Sequence, residues 1–201
     1  MINTIIFDLG GVLFDWNPRH LYRQIFDDPE EMEYFLTEVC SPDWNVQQDA
    51  GRPWEEAINV LLPQFPKYER HIRLYRERWP EMLAGTIDDT LALFHRIKKT
   101  DYGLFALTNW AGDTFQWTRD HHPFLNEFEG ILVSGDEKMK KPDREIYELT
   151  LQRFGLVAEQ CVFIDDSLKN VEGARSVGME AIHFQGADQL EQSLLAMGLS
   201  F

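Results

Sequence analysis

Thr4-Ile5-Ile6-Phe7-Asp8-Leu9-Gly10-Gly11-Val12-Leu13 opens the chain and decides how the rest is read. Residues 4–7 have the length and the β-branched and aromatic content of a buried strand. An acid follows at once. Directly after a buried apolar strand it does little for solubility, although Asp8 alone could equally cap a helix or form a turn. Similar short apolar runs recur at 104–107, 131–133, 161–164 and 181–184. Helical patterns lie between them. Residues 88–99 space Leu91, Leu93, Phe94 and Ile97, residues 145–154 space Ile146, Leu149 and Phe154, and 170–177 stops at Gly178. Strands alternating with helices predict the α/β class, a Rossmann-like parallel sheet with helices on both faces.

One stretch breaks that rhythm. Residues 15–84 show helical patterns at 21–26, 30–39, 54–62 and 68–79, punctuated by Pro42, Pro53, Pro63 and Pro66, with no convincing strand. An all-helical insertion over 15–84 is expected, with 1–14 and 85–201 forming the core. It either packs on the core or closes over a site.

Ligands of open parallel sheets bind at the carboxyl ends of the strands. The residues due there are Asp8-Leu9-Gly10-Gly11, Thr108-Asn109-Trp110, Lys140-Lys141-Pro142-Asp143 and Asp165-Asp166-Ser167. Asp165-Asp166 alone could be a turn, Lys141 a surface lysine and Thr108 a strand-end hydroxyl. Together they place several carboxylates at one sheet edge. Crowded carboxylates raise each other's pKa unless a cation neutralises them, and hard oxygen donors suit Mg2+. Gly10 and Gly11 would leave backbone N–H groups open to an anion, Thr108 would donate a hydroxyl and Lys141 would add a positive charge.

Phe7-Asp8-Leu9-Gly10-Gly11-Val12-Leu13, Leu107-Thr108-Asn109, Lys141-Pro142-Asp143, and Phe163-Ile164-Asp165-Asp166-Ser167 with Asn170 resemble, in order, the four motifs of the haloacid dehalogenase-like hydrolases. The insertion falls where that family carries its helical cap. The resemblance implies that Asp8 attacks the substrate and, in phosphatases, becomes an aspartyl-phosphate. It implies that Thr108 and Lys141 hold the transferring group and that Asn109 touches the substrate. Mg2+ would bind Asp8, Asp166 and the carbonyl of Gly10, with Asp165 in support. The implied substrate is a small phosphorylated metabolite, with a sugar phosphate as the family's suggestion.

The sequence departs from the phosphatase pattern at Gly10, where a second aspartate usually protonates the leaving oxygen and activates water. Such help is worth about 10²–10⁴ in rate. Asp49, expected in a loop at 46–51, is one replacement, and Asp15 and His20 are weaker ones. Gly10 also permits a metal-free 2-haloacid dehalogenase, although Asp165-Asp166 would then repel an anionic substrate. A third reading is a catalytically weak protein that binds a phosphorylated ligand or a protein partner, with Trp16, Trp44, Trp54 and Trp79 supplying aromatic surface.

Composition narrows the partners. With 34 acidic against 19 basic side chains the net charge is -15, and Lys98-Lys99 is an isolated basic pair, so nucleic acid is not expected. No run could span a bilayer and no signal pattern opens the chain, so a cytoplasmic protein without membrane contact is expected. Cys40 and Cys161 are expected to stay unpaired. The oligomeric state is not legible beyond a monomer or weak dimer.

Overall fold

The computed structural model describes residues 1–201. In chain order the elements are β1 (Thr4–Phe7), β2 (Phe14–Trp16), α1 (Arg19–Tyr22), α2 (Pro29–Tyr34), α3 (Pro42–Asp49), α4 (Trp54–Leu61), α5 (Glu69–Glu77), β3 (Leu83–Thr86), α6 (Asp88–Ile97), β4 (Gly103–Thr108), α7 (Gly112–His121), β5 (Gly130–Val133), α8 (Ser134–Glu137), α9 (Arg144–Phe154), β6 (Cys161–Asp165), α10 (Leu168–Ser176), β7 (Glu180–His183) and α11 (Ala187–Ala196). Five strands form the parallel α/β sheet expected, in the order β5-β4-β1-β6-β7.

β1 lies at the centre and is buried along its whole length. Its side chains alternate between faces, as a strand's period requires. Ile5 and Phe7 join the core containing Phe94 of α6 and Leu190 and Leu194 of α11. Ile6 joins the core containing Ile146 and Tyr147 of α9 and Val171 and Ala174 of α10. With hydrocarbon on both faces, the first position where polar chemistry can sit is the strand's end, at Asp8. The chain builds β4 and β5 on one side of β1 and then crosses to build β6 and β7 on the other. That reversal of strand order opens a crevice above β1.

The strand-free expectation for 15–84 needs correction. β2 and β3 pair antiparallel as a small ribbon, with Phe14 opposite Thr86 and Trp16 opposite Leu83. Strands this short, with Gly85 at φ +131 in one of them, show no alternating pattern. Pro42 opens a helix where a break was expected. Ser41 Oγ accepts from Trp44 N at 3.2 Å, and proline fits the first turn because that N–H has no helical partner. Likewise Asp28 caps α2 ahead of Pro29. The helix expected at 21–26 is the single turn of α1, and the one at 30–39 passes from α2 into a π-helical stretch, Phe35–Val39. Cys40 and Cys161 are buried, free thiols. No helix is long and apolar enough to cross a membrane.

Candidate active site

Asp8 follows β1 and is 7% exposed. Its Oδ1 accepts from the N–H of Leu9 at 2.7 Å and pairs with Lys141 Nζ at 2.9 Å. Lys141 is fully enclosed and donates also to Asp165 Oδ2 at 2.7 Å and to the carbonyl of Leu107 at 2.9 Å. Thr108, 1% exposed, ends β4 next to that carbonyl. Loops far apart in sequence thus meet at one ammonium group.

The two acids after β6 have different tasks. Both oxygens of Asp165 are occupied: Oδ1 by Ser167 N at 2.8 Å and Asn170 Nδ2 at 2.9 Å, Oδ2 by Lys141. Asp166 is exposed. One carboxylate oxygen from each of Asp8, Asp165 and Asp166 lies within 4.8 Å of the other two. Three acids facing one lysine leave excess negative charge in a partly dry place. Burial pushes the Asp8 carboxyl up to about 7, with Asp165 and Asp166 adding to the rise and Lys141 opposing it. Asp166 is raised by partial desolvation and by Asp165. Burial alone would lower Lys141, but Asp165 and Asp8 outweigh it and hold it raised and charged. A hard divalent cation fits this donor set, because it would offset the negative charge gathered there. The Gly10 carbonyl accepts no backbone hydrogen bond.

Two expected substrate contacts change role. Gly11 does not offer its N–H to an anion, because that group donates to the Phe14 carbonyl at 2.9 Å. Its glycine requirement is steric: φ is +74, and a Cβ would stand 2.5 Å from Asp166 Oδ2. Asn109 lines the cleft, but its side-chain amide is engaged at both ends, donating to the Lys141 carbonyl at 3.0 Å and accepting from Lys141 N at 2.8 Å. It positions Lys141. Gly10 keeps an N–H without a backbone partner, and a Cβ there would meet nothing within 4 Å.

Above the sheet edge a cleft of about 60 Å³ is lined by Gly10, Asn109, Trp110, Trp16, Asn45, Asp49 and Trp79. Asp49 ends α3 and is not in a loop. Its carbonyl accepts a short hydrogen bond from Ser134 Oγ, which in turn accepts from Trp110 N at 2.9 Å. Enclosure pushes the Asp49 carboxyl up to about 7, against the Ala111 N–H and the Lys141 charge. His20 and Asp15 pair with each other at 3.0 Å and do not line this cleft. The part played by Trp110 was not foreseen, although it directly follows Thr108-Asn109.

A family model of haloacid dehalogenase-like hydrolases matches residues 2–178. The chain is 30% identical over 178 residues to the sesquiterpene phosphatase astK of Aspergillus oryzae, covering 89% of this chain and 87% of that protein. It is 25% identical over 205 residues to a phosphorylated carbohydrates phosphatase of Thermotoga maritima, covering 90% and 84% respectively. A haloacid dehalogenase family enzyme of Bacteroides thetaiotaomicron, solved as a magnesium complex, matches with a TM-score of 0.74 over 96% of this chain and 98% of that one. At 19% identity that likeness is one of fold.

Proposed function

The chain belongs to the haloacid dehalogenase-like hydrolase family, and from that premise we propose that it is a Mg2+-dependent phosphatase of a small phosphorylated metabolite, acting through an aspartyl-phosphate on Asp8. One observation carries the reading. Asp8 is held through Oδ1 by Lys141 and the Leu9 N–H, which leaves its other oxygen available at the end of the central strand. We read residues 15–84 as the cap and 1–14 with 85–201 as the core. Asp8, Asp166 and the Gly10 carbonyl would hold the metal. Bound there, Mg2+ would act as a Lewis acid on the phosphoryl oxygens.

The residues then divide the work. The Gly10 N–H, Thr108 and Lys141 orient the phosphoryl group. Asp8 attacks phosphorus as the ester P–O bond breaks. The leaving oxygen takes its proton from Asp49, whose carboxyl sits at about 7 and so is about half protonated at neutral pH. Water then attacks the phosphorus of the aspartyl-phosphate, gives a proton to Asp49 and releases phosphate from Asp8. The dehalogenase alternative is disfavoured by the clustered carboxylates, which would repel a haloacid without a metal.

Turnover of p-nitrophenyl phosphate should require Mg2+, cease on chelation, and be lost in Asp8→Asn while the circular dichroism spectrum is kept. Turnover retained by Asp8→Asn would remove Asp8 as nucleophile. Halide release from 2-chloropropionate without metal would restore the dehalogenase. The two relatives, a sesquiterpene phosphatase and a phosphorylated carbohydrates phosphatase, point in different directions for the alcohol half of the substrate.

A further inference from the structure

The cleft that opens at Gly10 and Asn109 bears on the alcohol half of the substrate. Beyond Gly10 and Asn109 at the sheet edge, the cleft is lined by three tryptophans with Asn45 and Asp49. Trp79 and Trp110 pack against each other with ring centroids 5.6 Å apart. The indole N–H groups of Trp16 and Trp110 are buried and unpartnered, so neither can donate to a hydroxyl in the cleft. A sugar bound here would bury several hydroxyls with few partners, and each buried, unpaired hydroxyl is costly. A second groove, of about 350 Å³, shares Trp16, Asn45 and Asp49 with the first and runs on along Leu36, Val46 and Tyr75. Leu36 and Tyr75 belong to the apolar core and, with Val46, give the groove an apolar strip, beside the polar Asn17, Arg19, Thr37, Asn45 and Asp49.

Charge excludes a second anionic group. Arg19 is the only cation lining either space. Its guanidinium is taken by Glu33, with Nε–Oε1 at 2.7 Å and Nη2–Oε2 at 2.5 Å. Lys141 is already shared between Asp8 and Asp165. A diphosphate, bisphosphate or carboxylated phosphate would find no free side-chain cation along either space for its second anionic group, in a protein of net charge -15.

We propose that the substrate is the monophosphate of a hydrocarbon alcohol, alkyl or isoprenoid, whose chain leaves the phosphate between Trp16, Trp79 and Trp110 and continues along the Leu36–Val46–Tyr75 groove. This inference rests on the phosphatase reading and narrows it away from sugar phosphates. Burying each methylene is worth roughly a two- to fourfold gain in binding.

The test is a homologous series. With Mg2+ present, kcat/KM should climb from butyl through hexyl to octyl phosphate by about two- to fourfold per methylene. Glucose 6-phosphate and octyl diphosphate should each fall about tenfold or more below octyl phosphate. Val46→Asp, in a protein whose thermal unfolding stays cooperative, should flatten the climb. A flat series, or glucose 6-phosphate matching octyl phosphate, overturns the inference and leaves the phosphatase reading standing. Octylphosphonate titrated into the Asp8→Asn protein separates the two. Its binding, read by tryptophan fluorescence and tighter than that of butylphosphonate, supports the hydrocarbon site even if no ester is hydrolysed. Equal affinities for the two phosphonates would refute it.

Discussion

At position 10 a missing side chain shapes the chemistry. A Cβ there would project into open space, so the protein could hold a larger residue at that point without a clash. Asp49 faces the same cleft from α3, with a carboxyl near neutral pKa. Asp49→Asn should therefore slow turnover of alkyl phosphates by about a hundredfold. It should slow p-nitrophenyl phosphate much less, because that leaving group needs no proton. Adding Gly10→Asp to Asp49→Asn should recover part of the alkyl-phosphate rate, since a carboxyl would again stand beside the leaving oxygen. Steady-state kcat on both substrates checks this, and an equal loss on both would reject Asp49 as the acid. The weight of position 10 was legible in the sequence, because Asp8-Leu9-Gly10 is local. Which residue compensates was only one option among Asp49, Asp15 and His20, since nothing local ties position 49 to position 10.

The element that decides the cleft is α3. It carries Asn45 and Asp49 on its last turns, and its start depends on Ser41. Further along, Gln48 Nε2 donates to the Trp44 carbonyl at 2.8 Å, and Arg52 reaches back to Gln48 Oε1 at 2.8 Å and to the same carbonyl at 3.0 Å. These bonds hold the helix end where Ser134 can receive it. Ser41→Ala should cost about 1 kcal/mol, the usual worth of such a cap. If fraying of α3 loosens Asp49, kcat should fall while Mg2+ affinity holds, because the metal donors sit on other elements. Thermal unfolding and a Mg2+ titration of activity would show it, and a matching fall in Mg2+ affinity would contradict it. This helix was missed because Pro42 also fits a break, and a proline at a first helical turn differs from a helix breaker only by where the helix begins.

For the whole molecule, the buried acids link stability to pH. Burial raises Asp8 and Asp49 from 3.8 to about 7, so the folded state holds protons there that the unfolded chain has released. Stability from these groups is fully present below about pH 4 and is lost as pH rises toward 7. Melting temperature of metal-free protein should therefore decline across that window. Asp8→Asn should reduce the decline, and Mg2+ should raise the melting temperature most at neutral pH, where the site's carboxylates are ionised. A change in melting temperature from pH 4 to 7 that is the same in Asp8→Asn as in the unaltered protein would show that Asp8 is not raised as described.

The alternating strands, the acid at the end of the first one and the family's four motifs are all legible along the chain. These are properties of short segments, in which a buried run of apolar residues must end where polar groups can find partners. Tertiary structure alone decided that Gly11 makes room for Asp166, that Asn109 clasps the Lys141 backbone, that Asp49 reaches the cleft and that Trp16, Trp79 and Trp110 wall it. Those roles depend on which groups lie within a hydrogen bond or a van der Waals contact across the fold, and such proximity leaves no periodic trace along the chain.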